Sequence, residues 1–289
     1  MKLLAQPKNI AGLQLERHPC FSEAAHMKYG RVHLAVAPIC NISCKYCIRA
    51  LNKREDRPGV AEKILTPEEA LKKIEEARKI YPITVAGIAG PGESLANNET
   101  FETFRLIDKF HPDLIKCLST NGLLLLDCIE RLKELKVNTI TVTCNTLDPK
   151  TGEKIYNFVN YKGATYTGKE AAEILIKNQM EGVKEAVKAG FLIKINTVLI
   201  PEINAQEMEE IARVYAALGV KIMNIMPLIP IHQMKDKRAP TCEELRQARD
   251  MCEPYIQQFR KCKQCRADAV GVPGLEKREY SGETEYFHG

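Results

Sequence analysis

"RVHLAVAPICNISCKYC" (31–47) runs from an apolar stretch through a proline into three cysteines spaced C-x3-C-x2-C. A short apolar run that stops at a thiol-rich loop reads as a buried strand carrying reactive groups at its C-terminal end. Five more runs of the same kind succeed it: "ITVAGIAG" (83–90), "DLIKCLST" (113–120), "NTITVTCN" (138–145), "FLIKINTVLI" (191–200) and "VKIMNIMPLI" (220–229). Helical signals separate them. "TPEEALKKIEEARKI" opens with Thr66 as N-cap, Pro67 at the first helical position and Glu69 completing a capping box. "LLLLDCIERLKELK", "GKEAAEILIKNQMEGVKEAVKAG" and "NAQEMEEIARVYAALG" continue the pattern, the last two ending at Gly190 and Gly219 in the manner of C-caps.

Repeated βα units imply right-handed crossovers and a parallel sheet, either doubly wound or curled into a barrel. Six units are too few for a closed eight-fold barrel, and the α/β pattern over about 31–230 leaves a doubly wound sheet and a partial barrel both open. Chemistry in such folds sits on loops after the strands, and the three cysteines occupy such a loop. The first thirty residues and the segment after 230 stand outside the alternation. "TCEELRQARDMCEPYIQQFRKC" (241–262) reads as one long helix started by Thr241 and Glu244. It delivers the "CKQC" pair, Cys262 and Cys265, to its far end. Residues 1–275 are thus expected to form a single domain, with 231–275 as a C-terminal helical segment. The polar stretch 276–289 is expected to be a flexible tail.

The 289 residues carry 42 basic and 37 acidic side chains, a formal charge of +5 too mild and interspersed to mark a nucleic-acid binder. No stretch approaches a membrane span, and "MKLLAQPKNI" has no export signal, so a cytoplasmic protein is expected. Eleven cysteines in a reducing compartment argue for metal ligation or catalysis rather than a disulfide framework. Zinc sites and bacterial ferredoxins use other spacings. Three close thiolates can hold three irons of a 4Fe-4S cluster and leave the fourth open to chelate a substrate.

The loop resembles the signature of the radical S-adenosylmethionine superfamily, which implies a partial (β/α)6 TIM-like barrel of the radical SAM type over about 31–230. That resemblance implies Cys40, Cys44 and Cys47 as ligands of a 4Fe-4S cluster whose open iron binds S-adenosylmethionine and reductively cleaves it to a 5'-deoxyadenosyl radical. Tyr46 matches the family's aromatic position. "GIAGPGES" resembles the family's Gly-Gly-Glu stretch, so Gly90, Gly92 and Glu93 inherit contact with the methionine moiety, although Pro91 alters the simple form. Ser119 and Asn121 in "STNG", Asn145 and Asn196 fall at strand ends, where polar groups meet ribose or carboxylate or cap the loops.

The remaining thiols narrow the substrate. Cys262 and Cys265, beside Lys261, Lys263 and Arg266, read as a redox dithiol, half a zinc site or anchors of an anionic cluster. Cys20 is accompanied by His18, His26 and His33. If Val32, Leu34 and Val36 face the helices, His33 faces the barrel interior. Cys117, near the end of the third strand, has the same opportunity. Together, "HPCFSEAAHMKYGRVHLAVAPICNISCKYC", "RPGV" (57–60), "CLSTNG" (117–122), "NIMPLIP" (224–230) and "CKQCRADAVG" (262–271) resemble the NifB family of nitrogenase cofactor assembly, from residue 18 to about 275.

The resemblance implies two auxiliary 4Fe-4S clusters, fused around a carbon from S-adenosylmethionine and an added sulfur into an eight-iron carbide precursor. Cys20, Cys117 and a histidine, foremost His33, would hold one, and Cys262 with Cys265 the other, so both extensions carry extra ligands. A sulfide first takes the methyl group of one S-adenosylmethionine, and the radical from a second then abstracts a hydrogen from it. Glu55 is expected to handle protons or touch a cluster, or to be a solvated loop carboxylate. Cluster donors, an electron donor and downstream scaffold or carrier proteins are the implied partners; nucleic acid and membrane are not. No C-terminal cofactor-carrier domain is expected. The loop "IRALNKRED" lacks a cysteine that some relatives carry, which leaves a third auxiliary ligand open, with Cys252 as a replacement. Cys128, Cys144 and Cys242 read as structural. Another radical enzyme with auxiliary clusters, or a non-radical iron-sulfur scaffold or electron carrier, is the rival reading.

Overall fold

The computed structural model describes residues 16–275 and 284–287. All six strands form: β1 (Gly30–His33), β2 (Ile83–Ile88), β3 (Ile115–Thr120), β4 (Thr139–Thr143), β5 (Leu192–Leu199) and β6 (Ile222–Pro227). They lie in chain order, each parallel to the next. A doubly wound sheet reverses its order at a switch point. Without a reversal, right-handed crossovers carry every connecting helix to one face, and the sheet becomes the wall of an open barrel.

Side-chain alternation divides the two faces. Val32, Ala86, Leu118, Ile140, Ile195 and Ile225 point outward into one apolar cluster with Ile74, Phe104, Leu132, Val183 and Ile211 of the covering helices. Complete burial of each such side chain contributes roughly 1.5–3 kcal/mol. The inner face carries His33, Gly87, Cys117, Thr141, Lys194 and Asn196, so its occupants are polar or thiol-bearing. Register aligns three of them in one row: His33 sits opposite Gly87, and Gly87 opposite Cys117.

The helix Pro67–Ile80 starts with the full reciprocal capping box of Thr66 and Glu69, and Cys242–Cys252 with that of Thr241 and Glu244. The second helix corrects the sequence reading, which extends it to residue 262. It stops at Cys252 because Pro254 lacks an N–H and clashes with the preceding turn. Beyond Cys252 the chain is held by strand pairing rather than by helix. Gln257–Gln258 joins β6 in parallel, and Val270–Gly271 joins β1 antiparallel. The segment between them therefore crosses the open side of the barrel from its last strand to its first, carrying Cys262 and Cys265 across the gap.

Arg266 clips that segment down. It is buried, donates to the carbonyls of Glu55 (2.6 Å) and Asn52 (2.7 Å), and pairs with Asp268 at 2.8 Å. The flexible-tail expectation for 276–289 falls mostly outside the described residues; Thr284–Phe287 pair antiparallel with Arg49–Asn52. A hairpin absent from the sequence reading, Tyr156–Tyr161 with Ala164–Thr167, turns at Lys162 and Gly163, both with positive φ.

Candidate functional site

The hairpin is what holds the cysteine loop. Ile42–Cys44 pairs antiparallel with its first strand, matching Ile42 to Val159 and Cys44 to Tyr156. The Cys47 amide closes a tight turn on the Cys44 carbonyl at 3.0 Å. Cys40, Cys44 and Cys47 all line a cavity of ≈680 Å³, and none is in a disulfide.

The "GPGE" loop braces this one from below. Gly92 and Glu93 donate their amides to the carbonyls of Ala37 (2.6 Å) and Ile39 (2.8 Å). Gly90 makes the turn with φ +112. The buried Glu93 carboxylate accepts from the Leu95 amide at 2.9 Å, the Thr120 hydroxyl at 2.6 Å and the Asn121 amide at 2.6 Å. Burial pushes its carboxyl upward, and those three donors oppose the push. Glu93 is therefore a tie between the β2 and β3 loops, although it also borders the cavity.

Asn121 faces the same cavity and donates to Asn41 at 2.7 Å. Asn145 is spent on structure, donating to the Tyr46 (2.8 Å) and Tyr156 (3.3 Å) hydroxyls and accepting from the Val198 amide (2.9 Å). It orients Tyr46. Asn157, Asn160, His232 and Gln233 add polar groups that sequence reasoning missed, since the hairpin bringing two of them had no signal.

A second cavity of ≈290 Å³ opens on the inner face of the barrel. Tyr46, Cys47, Ala89, Pro91, Ser119 and Thr143 border both spaces and form their common wall. Cys20, Cys117, Cys262 and Cys265 converge here from the N-terminal segment, β3 and the crossing segment. Asn196 belongs to this cavity and not to the first, where a ribose or carboxylate contact is expected of it.

The histidines differ in readiness. His33 Nδ1 lies 3.0 Å from the Arg266 carbonyl, an acceptor, so Nδ1 carries the proton and Nε2 keeps its lone pair. Burial, then the charge of Arg31, push its pKa down to about 3, which keeps the ring neutral. His26 is bound the same way to Pro19 at 2.8 Å. His18 accepts from the Cys20 amide at Nδ1 (3.1 Å), so its Nε2 carries the proton.

Thiols in these places resist ionisation without a cation. Burial pushes Cys20 and Cys40 up to about 12, Cys40 with help from the Glu93 charge, and holds Cys44 well above the thiol range. Bound iron supplies the positive charge that makes such thiolates favourable, so both donor sets fit iron-sulfur clusters. Among the described residues no trio of His, Cys, Asp or Glu converges on one metal ion. Cluster ligands each take a different iron and stand further apart.

Glu55 lines neither cavity; its carboxylate takes the Asn52 amide (3.0 Å) and pairs with Arg57 at 2.5 Å. Cys252 is also remote, buried with Sγ 3.2 Å from the Met208 carbonyl. Cys144 lies in the core and Cys242 on the surface.

The Radical SAM superfamily profile matches residues 34–215. "FeMo cofactor biosynthesis protein NifB" of Methanocaldococcus infernus is 53% identical over 261 residues, covering 89% of this chain and 86% of the relative. The chain belongs to the NifB family. NifB of Methanocaldococcus jannaschii is 53% identical over 258 residues, 88% of this chain and 86% of its own. NifB of Azotobacter vinelandii is 41% identical over 94% of this chain, which spans 55% of that longer protein. Among solved structures, Streptococcus suis SuiB shares the fold at TM-score 0.58 and 13% identity, over 88% of this chain and 54% of its own. A NifB-family member with this fold is a radical S-adenosylmethionine enzyme, and its superfamily implies a 4Fe-4S cluster and S-adenosylmethionine. Among the described residues no helix is long and apolar enough to cross a membrane.

Proposed function

We propose that this NifB-family enzyme assembles the iron-sulfur precursor of the nitrogenase cofactor, joining two 4Fe-4S substrate clusters with a sulfur and a carbon from S-adenosylmethionine. The observation that carries this reading is the pair of cavities with a common wall: three thiols on one side, of which Cys47 stands in the wall, and four further thiols with three histidines on the other. An ordinary radical enzyme needs only the first.

When bound, the cluster on Cys40, Cys44 and Cys47 supplies the electron that cleaves S-adenosylmethionine. The chain's own work is to hold and orient. Gly90, Gly92 and Glu93 fix the floor of the loop, Ser119 and Asn121 present polar groups at its edge, and Tyr46 stays in place through Asn145. Cys20, Cys117 and the His33 Nε2 hold one substrate cluster, and Cys262 with Cys265 the other. Because the two cavities adjoin along that wall, the reacting methyl group and both clusters are held as neighbours, which converts an encounter of separate molecules into a reaction within one site. Glu55 acts through the loop it braces. Cluster donors, an electron donor and a receiving scaffold or carrier protein complete the reaction.

The test counts iron and acid-labile sulfide per chain after anaerobic reconstitution, comparing native protein with a Cys40→Ala/Cys44→Ala/Cys47→Ala variant. Retention of about two clusters' worth of iron in the variant supports the reading. Retention of none leaves a single-cluster enzyme or carrier and defeats it.

A further inference from the structure

Lys194 is a charge in the wrong solvent. It lies in the middle of β5, only 4% exposed, with its side chain on the inner face beside the four thiols. Its Nζ donates to the Cys20 carbonyl at 2.8 Å and lies over the rings of Phe21 (4.6 Å) and Phe259 (5.4 Å). Among the described residues no carboxylate stands within ion-pair distance of it. Lys116, buried as deeply, behaves otherwise. It pairs with Asp108 at 2.6 Å, while Lys194 has a dipole and two π-faces only.

An interior ammonium without an anion is costly, and a carbonyl and two rings offset part of that cost. Arg31 is already committed to the Gly271 carbonyl at 2.9 Å and to Cys265 Sγ at 3.1 Å. A four-iron core held by thiolates carries net negative charge.

Resting on the cavity's assignment to substrate clusters, we infer that Lys194 is the counter-cation of the iron-sulfur cluster bound at Cys20 and Cys117. Its ammonium binds the anionic substrate and selects clusters carrying net negative charge. Through the Cys20 carbonyl it also positions the ligand beside it.

The inference separates two stabilities. In the empty protein Lys194 is a burden, so Lys194→Met, which keeps the length and apolar stem, melts at the same or a higher temperature. After cluster loading the ranking reverses. The experiment compares Lys194, Lys194→Met and Lys194→Arg chains in the Cys40→Ala/Cys44→Ala/Cys47→Ala background, measuring melting temperature before and after loading and iron retained against a chelator. Lys194→Met is expected to lose most of the loading gain and to release auxiliary iron about tenfold more readily. Lys194→Arg is expected to keep an intermediate share.

Native-like retention by Lys194→Met overturns the inference. So does a lower melting temperature of its empty form with an unchanged loading gain, which makes the ammonium a brace for the Cys20 loop. A Lys194 background chain that holds no iron defeats the cluster reading of the cavity first, and the role of Lys194 with it.

Discussion

Gly92 lies so close to Ile39 that a Cβ on it would stand 2.3 Å from the Ile39 carbonyl oxygen. Ile39 directly precedes Cys40, so the glycine sets how the thiol loop rests on the barrel. Gly92→Ala must displace backbone, at about 1–3 kcal/mol. The expected outcome is a lower melting temperature and loss of S-adenosylmethionine cleavage, with auxiliary iron retained when iron is counted per chain.

Glu93 ties two loops with a buried carboxylate whose pKa is raised by burial. A raised folded value means its contribution is complete below the unfolded carboxyl value of 4.5 and is lost as pH rises through the folded one. Glu93→Gln removes that slope but sets an amide NH2 against one of three donors, costing about 1–3 kcal/mol. Chemical denaturation from pH 4.5 to 8 is expected to show a lower, flatter profile for the variant.

His33 has the opposite sign. Its folded pKa of about 3 lies below the unfolded 6.5, so stability present above 6.5 is lost progressively as pH falls toward 3. Iron-free protein is therefore expected to weaken between pH 6.5 and 4. His33→Asn should show a shallower loss in urea titrations, with His18, also held low by burial, supplying the remainder.

Arg266 joins the crossing segment to the loop at 52–55, and its carbonyl holds the His33 ring. Arg266→Ala strands Asp268 and two carbonyls, at about 3–5 kcal/mol. Auxiliary iron is expected to fall before iron at Cys40, Cys44 and Cys47 does, as read by sequential chelation.

Cys252→Ala removes a core thiol far from both cavities. A cost of about 1 kcal/mol with unchanged iron per chain is expected. Loss of a cluster's worth of iron would return Cys252 to the ligand set.

The features legible along the chain are local. Apolar runs, capping boxes at Thr66 and Thr241 and C-x3-C-x2-C state their meaning within a few residues, because strand alternation, helix capping and loop ligation are short-range physics. The hand of each crossover came with them, but the strand order, which separates a doubly wound sheet from an open barrel, needed the fold. Pro254 is also a local signal, a stop that ends the helix at Cys252 short of 262. Lys194 had its signal too, a charge inside "FLIKINTVLI".

Features that depend on distant partners emerge only in the folded chain. It alone brought the 156–167 hairpin onto Ile42–Cys44 and stretched 257–271 across the open barrel. It also turned Asn145 inward, moved Asn196 to the second cavity and drew Cys20, Cys117 and Cys262 into one apolar cluster. Those contacts join residues tens to hundreds apart in the chain, and no local pattern encodes which edge or cavity a distant segment will reach.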